Sequence, residues 1–176
     1  MTAANELILY ATPTGWLADR CDAYFAEANA VGATTAQTYP PHCTLTGFFR
    51  RTPWRVAEIM AEAAAIIDAN PQPGPGAVEI ATLTASDSWV GFELTSPWLD
   101  GVIAAFAEGH RIEPDEDAIR PKSWLHLSLA YGVDDLTPYH RLTAGLENVV
   151  GRESTWEVAL WERGPDLTWT RHTRST

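Results

Sequence analysis

The chain has few of the features that mark secreted, membrane-spanning or nucleic-acid-binding proteins. Of its 176 residues only two are cysteines, Cys21 and Cys43, too few for the disulfide framework that stabilises small secreted domains. Its apolar runs stay below the roughly 18 residues that a transmembrane helix needs, so we expect no membrane partner. The N-terminal segment lacks a basic start and includes Glu6, so we expect no secretory signal, a cytoplasmic location and reduced thiols.

Positive charge is also scarce. The chain has 12 Lys and Arg residues against 23 Asp and Glu residues, a net charge of −11, and Lys122 is its only lysine. Such a chain repels a long polyanion unless its arginines are concentrated in one place, so we expect no long RNA or DNA partner. A small phosphate is still compatible with this composition, because a local site can be positive within an acidic protein.

Two short segments share one residue pattern, Pro41-His42-Cys43-Thr44-Leu45 and Leu125-His126-Leu127-Ser128-Leu129. Both predict β-strands, since they combine apolar and β-branched residues; the first is expected to run from His42 to Phe49 and the second to end at Gly132. Side chains at positions i and i+2 of a strand lie on the same face, about 6–7 Å apart. His42 therefore shares a face with Thr44, and His126 shares a face with Ser128. The residues between them point to the opposite face, into a core.

The similarity extends beyond the two strands. Each is followed by a Thr-Pro pair, Thr52-Pro53 or Thr137-Pro138, that fits the start of a helix, with threonine as N-cap and proline at the first helical position. These helices are expected to run to about residues 69 and 149. A repeated strand–loop–helix unit predicts two related lobes about a pseudo-twofold axis, with both His/hydroxyl pairs lining one cleft.

The rest of the pattern predicts an α+β fold in a single bilobal domain, residues 1–176. Further strands are expected at residues 6–12, 78–84, 89–94, 155–161 and 167–173, and further helices at residues 16–30 and 97–106. The Pro- and Gly-rich residues 71–76 predict a linker. We interpret residues 113–117 as an acidic surface loop. Arg50 and Arg51 fit a solvated loop, or alternatively the mouth of the cleft.

Two imidazoles facing one cleft suit displacement at phosphorus. Their pKa values start near ~6.5, so at neutral pH one can be neutral while the other is protonated. One histidine would take a proton from water while the other gives a proton to the leaving oxygen. The hydroxyls of Thr44 and Ser128 would donate hydrogen bonds to the non-bridging phosphate oxygens. This scheme needs neither a metal nor a cofactor.

Other interpretations of the histidines are possible. A single histidine in a strand is most often structural, although two in matching environments make that explanation weaker. A zinc site lacks a third ligand at close spacing, because Cys43 points away from His42. A serine hydrolase of the G-x-S-x-G type is excluded by the absence of that motif. The other histidines lack the pattern and are expected at the surface, namely His110, His140 and His172.

Two H-x-[ST]-hydrophobic motifs 84 residues apart resemble those of the 2H phosphoesterase superfamily, and within it the cyclic phosphodiesterases. The similar segments span nearly the whole chain: Leu7 to Pro13, Tyr39 to Gly47, His126 to Gly132 and Trp156 to Trp169. The chain departs from the family pattern where Leu125 replaces a proline that often precedes the second histidine. Trp124, two residues before His126, is a second departure.

The resemblance implies two antiparallel sheets facing a central groove, with helices outside. It implies His42 and His126 as catalytic residues and Thr44 and Ser128 as phosphate-binding residues. It also implies aromatic residues that hold the base or sugar; Tyr131 and Trp124 are the candidates, with core packing as the alternative for each.

The resulting expectation is a monomeric, metal-independent phosphodiesterase. Its substrate would be a small cyclic phosphate, either a 2′,3′-cyclic nucleotide opened to a 2′-nucleotide or ADP-ribose 1″,2″-cyclic phosphate. One alternative is an RNA-end or 2′–5′ RNA ligase-like enzyme of the same fold, acting on a short RNA end. Another is a non-catalytic nucleotide-binding protein, which would not need a paired acid and base.

Overall fold

A computed structural model gives the structure of residues 5–109, 112–164, 166 and 168–172. This part of the chain has an α+β fold. Its α-helices are α1 (Trp16–Val31), α2 (Val56–Ala69), α3 (Pro97–Glu108) and α4 (Thr137–Leu142). Its strands are β1 (Asn5–Thr14), β2 (Cys43–Thr44), β3 (Phe49–Arg51), β4 (Glu79–Ala85), β5 (Trp89–Thr95), β6 (His126–Tyr131), β7 (Thr155–Arg163) and β8 (Trp169–His172).

The described strands are joined in one antiparallel sheet, in the order β4-β5-β6-β2-β1-β7-β8, with β3 also pairing with β1. The sequence predicts two sheets, whereas here the two groups of strands are connected through β2. The connection is narrow. β2 pairs with β1 through two residues, and with β6 through Cys43 and Leu127 alone. An isolated bridge between Thr46 and Pro121 lies just beyond it.

Most predicted elements are present, including the hairpin of β4 and β5 and the helix that begins after Ser96. The hydroxyl of Ser96 accepts a hydrogen bond from the backbone N–H of Leu99 at 3.1 Å, which caps α3. β1 continues through Pro13, which the sequence predicts as its end. Pro13 lies beyond the residues that pair with β2, and a strand tolerates proline where one edge is unpaired. The predicted last strand is seen only as β8, because residues 167 and 173 lie outside the described residues.

The prediction of one continuous strand over residues 42–49 is wrong, because only β2 and β3 form there. Between them the chain turns so that the buried hydroxyl of Thr46 accepts a hydrogen bond from the backbone N–H of Leu9 at 3.1 Å. The hydroxyl of Thr46 thus accepts the hydrogen bond that a backbone carbonyl would accept in a regular strand pair. The regular pairing therefore ends after Thr44.

The helix predicted over residues 137–149 is also shorter than expected. Leu136, and not Thr137, is the N-cap of α4, and the helix ends at Leu142. Two 3-10 turns, Thr143–Gly145 and Glu147–Val149, continue the segment. Gly145 within this stretch fits the break, because glycine is a poor helix former.

The acidic segment 113–117 is not simply a surface loop. The carboxylate of Glu116 is buried, with 1% of its side chain exposed, between the equally buried guanidinium groups of Arg51 and Arg55. The backbone N–H groups of Thr52 and Glu113 also donate to this carboxylate. Arg51 is therefore part of the interior and not of a solvated loop, and Glu116 anchors the segment to the start of α2.

The helices cover the sheet and complete the core. α1 packs against β1 and β6, and α2 packs against β7 and α3. Their buried apolar residues join those of the strands in one cluster. None of the helices in the described part of the chain is both long enough and apolar enough to cross a membrane.

Candidate active site

The pairing of β2 with β6 brings the two histidine segments side by side. Cys43 lies opposite Leu127, and both of these side chains are fully buried. The alternate side chains therefore point to the other face of the sheet, into a cavity of about 440 Å³. All six residues that the sequence marks as site candidates line it: His42, Thr44, Trp124, His126, Ser128 and Tyr131.

The two imidazoles are held in the same way. Nδ1 of His42 lies 2.7 Å from the carbonyl oxygen of Pro40, and Nδ1 of His126 lies 3.1 Å from the carbonyl oxygen of Trp124. Because a carbonyl oxygen only accepts, Nδ1 is the protonated nitrogen in both rings. Nε2 of each neutral imidazole is then left with a lone pair, which is the arrangement that proton transfer through Nε2 requires.

An aromatic ring also covers each imidazole. The ring centroids of His42 and the buried Tyr10 are 3.9 Å apart, with 34° between the planes. The ring of Trp124 stacks on His126 at the same centroid distance, with 23° between the planes. Trp124 is 51% exposed, so it is not a core residue. Tyr131 is half-buried and lines the cavity beside it.

The surroundings lower the pKa of both histidines. The pKa of His42 is lowered to about 4, mainly by burial; the neighbouring His126 contributes to this shift, and the hydrogen bond to Pro40 opposes it. Burial also lowers the pKa of His126. The hydrogen bond to the carbonyl of Trp124 opposes this shift, and the positive charge of Lys122 adds to it. In the protein alone both imidazoles are therefore neutral at pH 7, unlike the sequence-based expectation of one protonated ring. An anion bound between them would raise both pKa values.

The hydroxyl of Ser128 has an orienting partner that the sequence did not reveal. Nε1 of Trp89, on the neighbouring strand β5, donates a hydrogen bond to Oγ of Ser128 at 2.9 Å. The indole lies against Gly91, where an added Cβ would come within 2.4 Å of the ring. Since Nε1 of tryptophan only donates, the serine proton remains free to point into the cavity. This is the direction in which a phosphate oxygen would need a donor.

A second cavity, of about 340 Å³, adjoins the first. The two share four lining residues, Tyr39, His42, Thr44 and Tyr131. Arg120 and Lys122 line the second cavity, whereas none of the described residues that line either one is Asp or Glu. In a chain with a net charge of −11, this groove is therefore a local site for an anion. Arg50 lies outside it, paired with Asp117.

The described residues outside this groove offer no comparable chemistry. Nε2 of His140 bonds to the carbonyl of Ser86 at 2.9 Å, and Nε2 of His172 lies 2.9 Å from a carboxylate oxygen of Glu162. Both histidines are half-buried and not at the surface as predicted. His110 lies outside the described residues. No group of three metal-ligating side chains occurs in the part of the chain that the structure describes.

Sequence reasoning missed Trp89, Tyr10, Tyr39 and Arg120 as parts of the site. Tyr39 directly precedes the first histidine segment and lines both cavities, so its nearness in sequence was an available signal. Trp89 and Tyr10 lie on other strands, and only strand pairing brings them to the histidines. Comparison with known proteins adds no name to this geometry: no family model matches the chain, and no curated protein matches it either.

Proposed function

We propose that the chain is a cyclic phosphodiesterase that hydrolyses a small cyclic phosphate by acid–base catalysis between His42 and His126. The observation that carries the proposal is the pair of imidazoles in one cavity, which no Asp or Glu of the described residues lines; each imidazole has Nδ1 bonded to a carbonyl and Nε2 left for proton transfer. A structural histidine pair would not need matching tautomers or a groove open to a ligand.

The proposed reaction opens a 2′,3′-cyclic nucleotide to a 2′-nucleotide. A water oxygen bonds to phosphorus while the bond from phosphorus to the 3′ oxygen breaks. One histidine removes the proton from the water, and the other donates a proton to the 3′ oxygen as it leaves. The hydroxyls of Thr44 and Ser128 hydrogen-bond to the non-bridging oxygens, whose charge is present throughout the reaction.

The pKa directions favour one division of roles. The pKa of His42 falls to about 4, whereas the charge of Glu93 favours a proton on His126, so we place the single proton shared by the pair on His126. We therefore assign His42 as the base and His126 as the acid. Binding of the anionic substrate raises the pKa of His126, so that substrate and proton are taken up together.

The proposal also includes the sequence-based expectations about substrate binding, fold, alternative substrates and location. The exposed ring of Trp124 and the half-buried ring of Tyr131 would hold the base or sugar. The two groups of strands on either side of β2 would correspond to the lobes of a 2H-type fold. ADP-ribose 1″,2″-cyclic phosphate and a short RNA end fit the same chemistry. The free, buried thiols of Cys21 and Cys43 fit a reducing, cytoplasmic location.

The deciding experiment is turnover of 2′,3′-cyclic AMP in excess EDTA. We expect sustained formation of adenosine 2′-monophosphate, and a loss of about 10²–10⁴-fold in kcat for His42→Gln and for His126→Gln, the usual range for positioned acid–base groups. The double variant should lose far less than the product of the single losses. His140→Gln, a control outside the groove, should keep wild-type activity. Activity that disappears on chelation and returns with metal would refute the mechanism.

A further inference from the structure

The second cavity of the groove is lined by two cationic residues that have no part in the acid–base mechanism. Arg120 and Lys122 line it beside His42 and Thr44. The positive charge of Lys122 also contributes to lowering the pKa of His126. Neither residue has a role at the scissile phosphate in the proposed reaction. Two cations placed together in so acidic a chain call for an anionic ligand of their own.

The backbone holds these two residues in a fixed position. The N–H of Gly47 donates to the carbonyl of Arg120 at 2.8 Å, and the N–H of Lys122 donates to the carbonyl of Leu45 at 3.0 Å. The bridge between Thr46 and Pro121 lies between these bonds. Residues 120–122 thus run antiparallel to residues 45–47, which directly follow β2.

Glycine at position 47 sets the place of the guanidinium group. A Cβ built on Gly47 would lie 3.2 Å from both Nε and Nη2 of Arg120, tighter than an ordinary contact. Nη2 of Arg120 also donates to the carbonyl of Phe48 at 3.2 Å. The guanidinium of the exposed Arg120 therefore lies against the backbone of residues 47 and 48 at the wall of the cavity.

A neighbouring carboxylate, Asp117, lines a third cavity together with Arg120 and Glu6, and the charge of Arg120 helps to lower its pKa, but Asp117 is ion-paired with Arg50. Asp117 accepts hydrogen bonds from Nε of Arg50 at 2.9 Å, from Nη2 at 3.2 Å and from the backbone N–H of Arg50 at 3.0 Å. Both oxygens of Asp117 are thereby engaged. Arg120 thus adds a further positive charge beside an ion pair that is already formed, and it also lines the second cavity together with Lys122.

We propose that Arg120 and Lys122 bind a second phosphate of the substrate, so that the preferred substrate is a cyclic nucleotide that also carries a 5′-phosphate. This inference rests on the proposed function, because the cyclic phosphate lies between the histidines. The base then occupies the cavity with Trp89 and Trp124, and the 5′-phosphate of the same nucleoside reaches the second cavity. A phosphate on the 5′ side of the cyclised ribose is present both in a 5′-phosphorylated mononucleotide and at the end of an oligonucleotide, so either could be the substrate.

The test compares three substrates at low and high salt: 2′,3′-cyclic AMP, its 5′-phosphorylated form, and the dinucleotide ApA with a 2′,3′-cyclic phosphate end. We expect kcat/KM to rise roughly tenfold with a 5′-phosphate, mainly through KM, since a charge-assisted hydrogen bond contributes about that factor. Salt should reduce this advantage. A greater gain for the dinucleotide than for the mononucleotide would assign the site to RNA ends, and the reverse order would assign it to mononucleotides.

The double variant Arg120→Gln/Lys122→Gln should reduce the preference to within about twofold, and Gly47→Ala, which displaces the guanidinium, should reduce it in part. The control is Arg20→Gln/Arg141→Gln, which removes the same charge from exposed positions beside a different cavity and should retain the preference. Equal kcat/KM for the phosphorylated and unphosphorylated substrates in the wild type would overturn the inference.

A binding measurement separates this inference from the proposed activity. Calorimetry with adenosine 2′-monophosphate and adenosine 2′,5′-bisphosphate needs no turnover. We expect the bisphosphate to bind roughly tenfold more tightly to the wild type, and about equally to the Arg120→Gln/Lys122→Gln variant. Absence of turnover with a retained binding difference would refute the phosphodiesterase alone. Turnover with no binding difference would refute the second phosphate site alone.

Discussion

The indole nitrogen of Trp89 donates a hydrogen bond to the hydroxyl of Ser128 across two paired strands, at 2.9 Å. The strands β5 and β6 shift register between Val90 and Gly91, at the position that faces Ser128. This irregularity allows a large ring on one strand to lie over a small side chain on the next. A serine hydroxyl rotates freely unless it is bonded, so the indole selects the orientation in which the proton points into the groove.

Replacing Trp89 with phenylalanine should lower kcat more than it raises KM. The ring is largely retained, but the donor to Ser128 is lost, which should cost about three- to tenfold in kcat at a typical hydrogen-bond free energy of ~0.5–1.5 kcal/mol. In Ser128→Ala the same substitution should have almost no further effect, which a double-mutant cycle measures. Trp98→Phe is the matched control, since Nε1 of Trp98 donates to the carbonyl of Asn70 away from the groove. Additive losses would contradict the orienting role.

The hydroxyl of Thr44 should be replaceable by serine but not by alanine or valine. Loss of a donor to the phosphate oxygens should reduce kcat by up to ~10²–10³-fold in Thr44→Ala. Thr44→Val keeps the shape of the side chain and should be as damaging, whereas Thr44→Ser should retain most activity. The measurement is steady-state kinetics on 2′,3′-cyclic AMP. If Thr44→Ser were as impaired as Thr44→Ala, packing and not hydrogen bonding would be the role of the side chain.

The pH profile should reflect the lowered pKa values. In the free protein the base must be neutral, which sets an acidic limb near the His42 value of about 4. The acid must be protonated, which sets a basic limb at the His126 value, below about 6.5. The plot of kcat/KM should therefore be bell-shaped with an acidic optimum, and the optimum of kcat should lie higher because bound phosphate raises both pKa values.

A charge variant tests the basic limb. Glu93 raises the pKa of His126, so Glu93→Gln should move the basic limb of kcat/KM to lower pH. Glu79→Gln is the control, because Glu79 bonds to the hydroxyl of Thr95 on the same hairpin and is not among the groups that shift the pKa of His126. A basic limb that stays in place in Glu93→Gln would argue against His126 as the acid.

Acid should destabilise the fold through His42. Its pKa is about 4 in the folded chain and about 6.5 when unfolded, so the unfolded state binds more protons between these values. The free energy of unfolding is unaffected above pH 6.5 and falls as the pH is lowered toward 4, by at most about 3 kcal/mol. His42→Gln, which does not titrate at this position, should make the dependence measured by urea unfolding from pH 7 to 4 less steep, with part of the remaining slope due to His126. An equal slope in both proteins would show that another group is responsible.

The sequence predicted most elements and the strand face on which the candidate site residues lie, although the local signals at Pro13 and Thr137 misplaced the end of β1 and the start of α4. Alternation around His42 and His126 correctly placed the polar face of each strand, because the side-chain period of a strand is fixed. The two-sheet arrangement was not local, since it depended on whether a strand of two residues would join the two groups. The burial of Glu116 could not be predicted from the local sequence either, because its partners Arg51 and Arg55 lie in a distant segment of the chain.

The narrow link between β2 and β6 also determines how the two imidazoles are spaced. Cys43 and Leu127, which form that link, are each adjacent in sequence to a histidine of the groove. The two histidines lie on different segments that meet at this rung, so the distance between their imidazoles depends on how β2 and β6 are paired there. The side chain at position 43 packs in the interior on the far face of the sheet. Its volume therefore affects how closely β2 and β6 approach each other at this rung. A larger residue there would be expected to change the gap between the two imidazoles without any change in the residues that line the cavity.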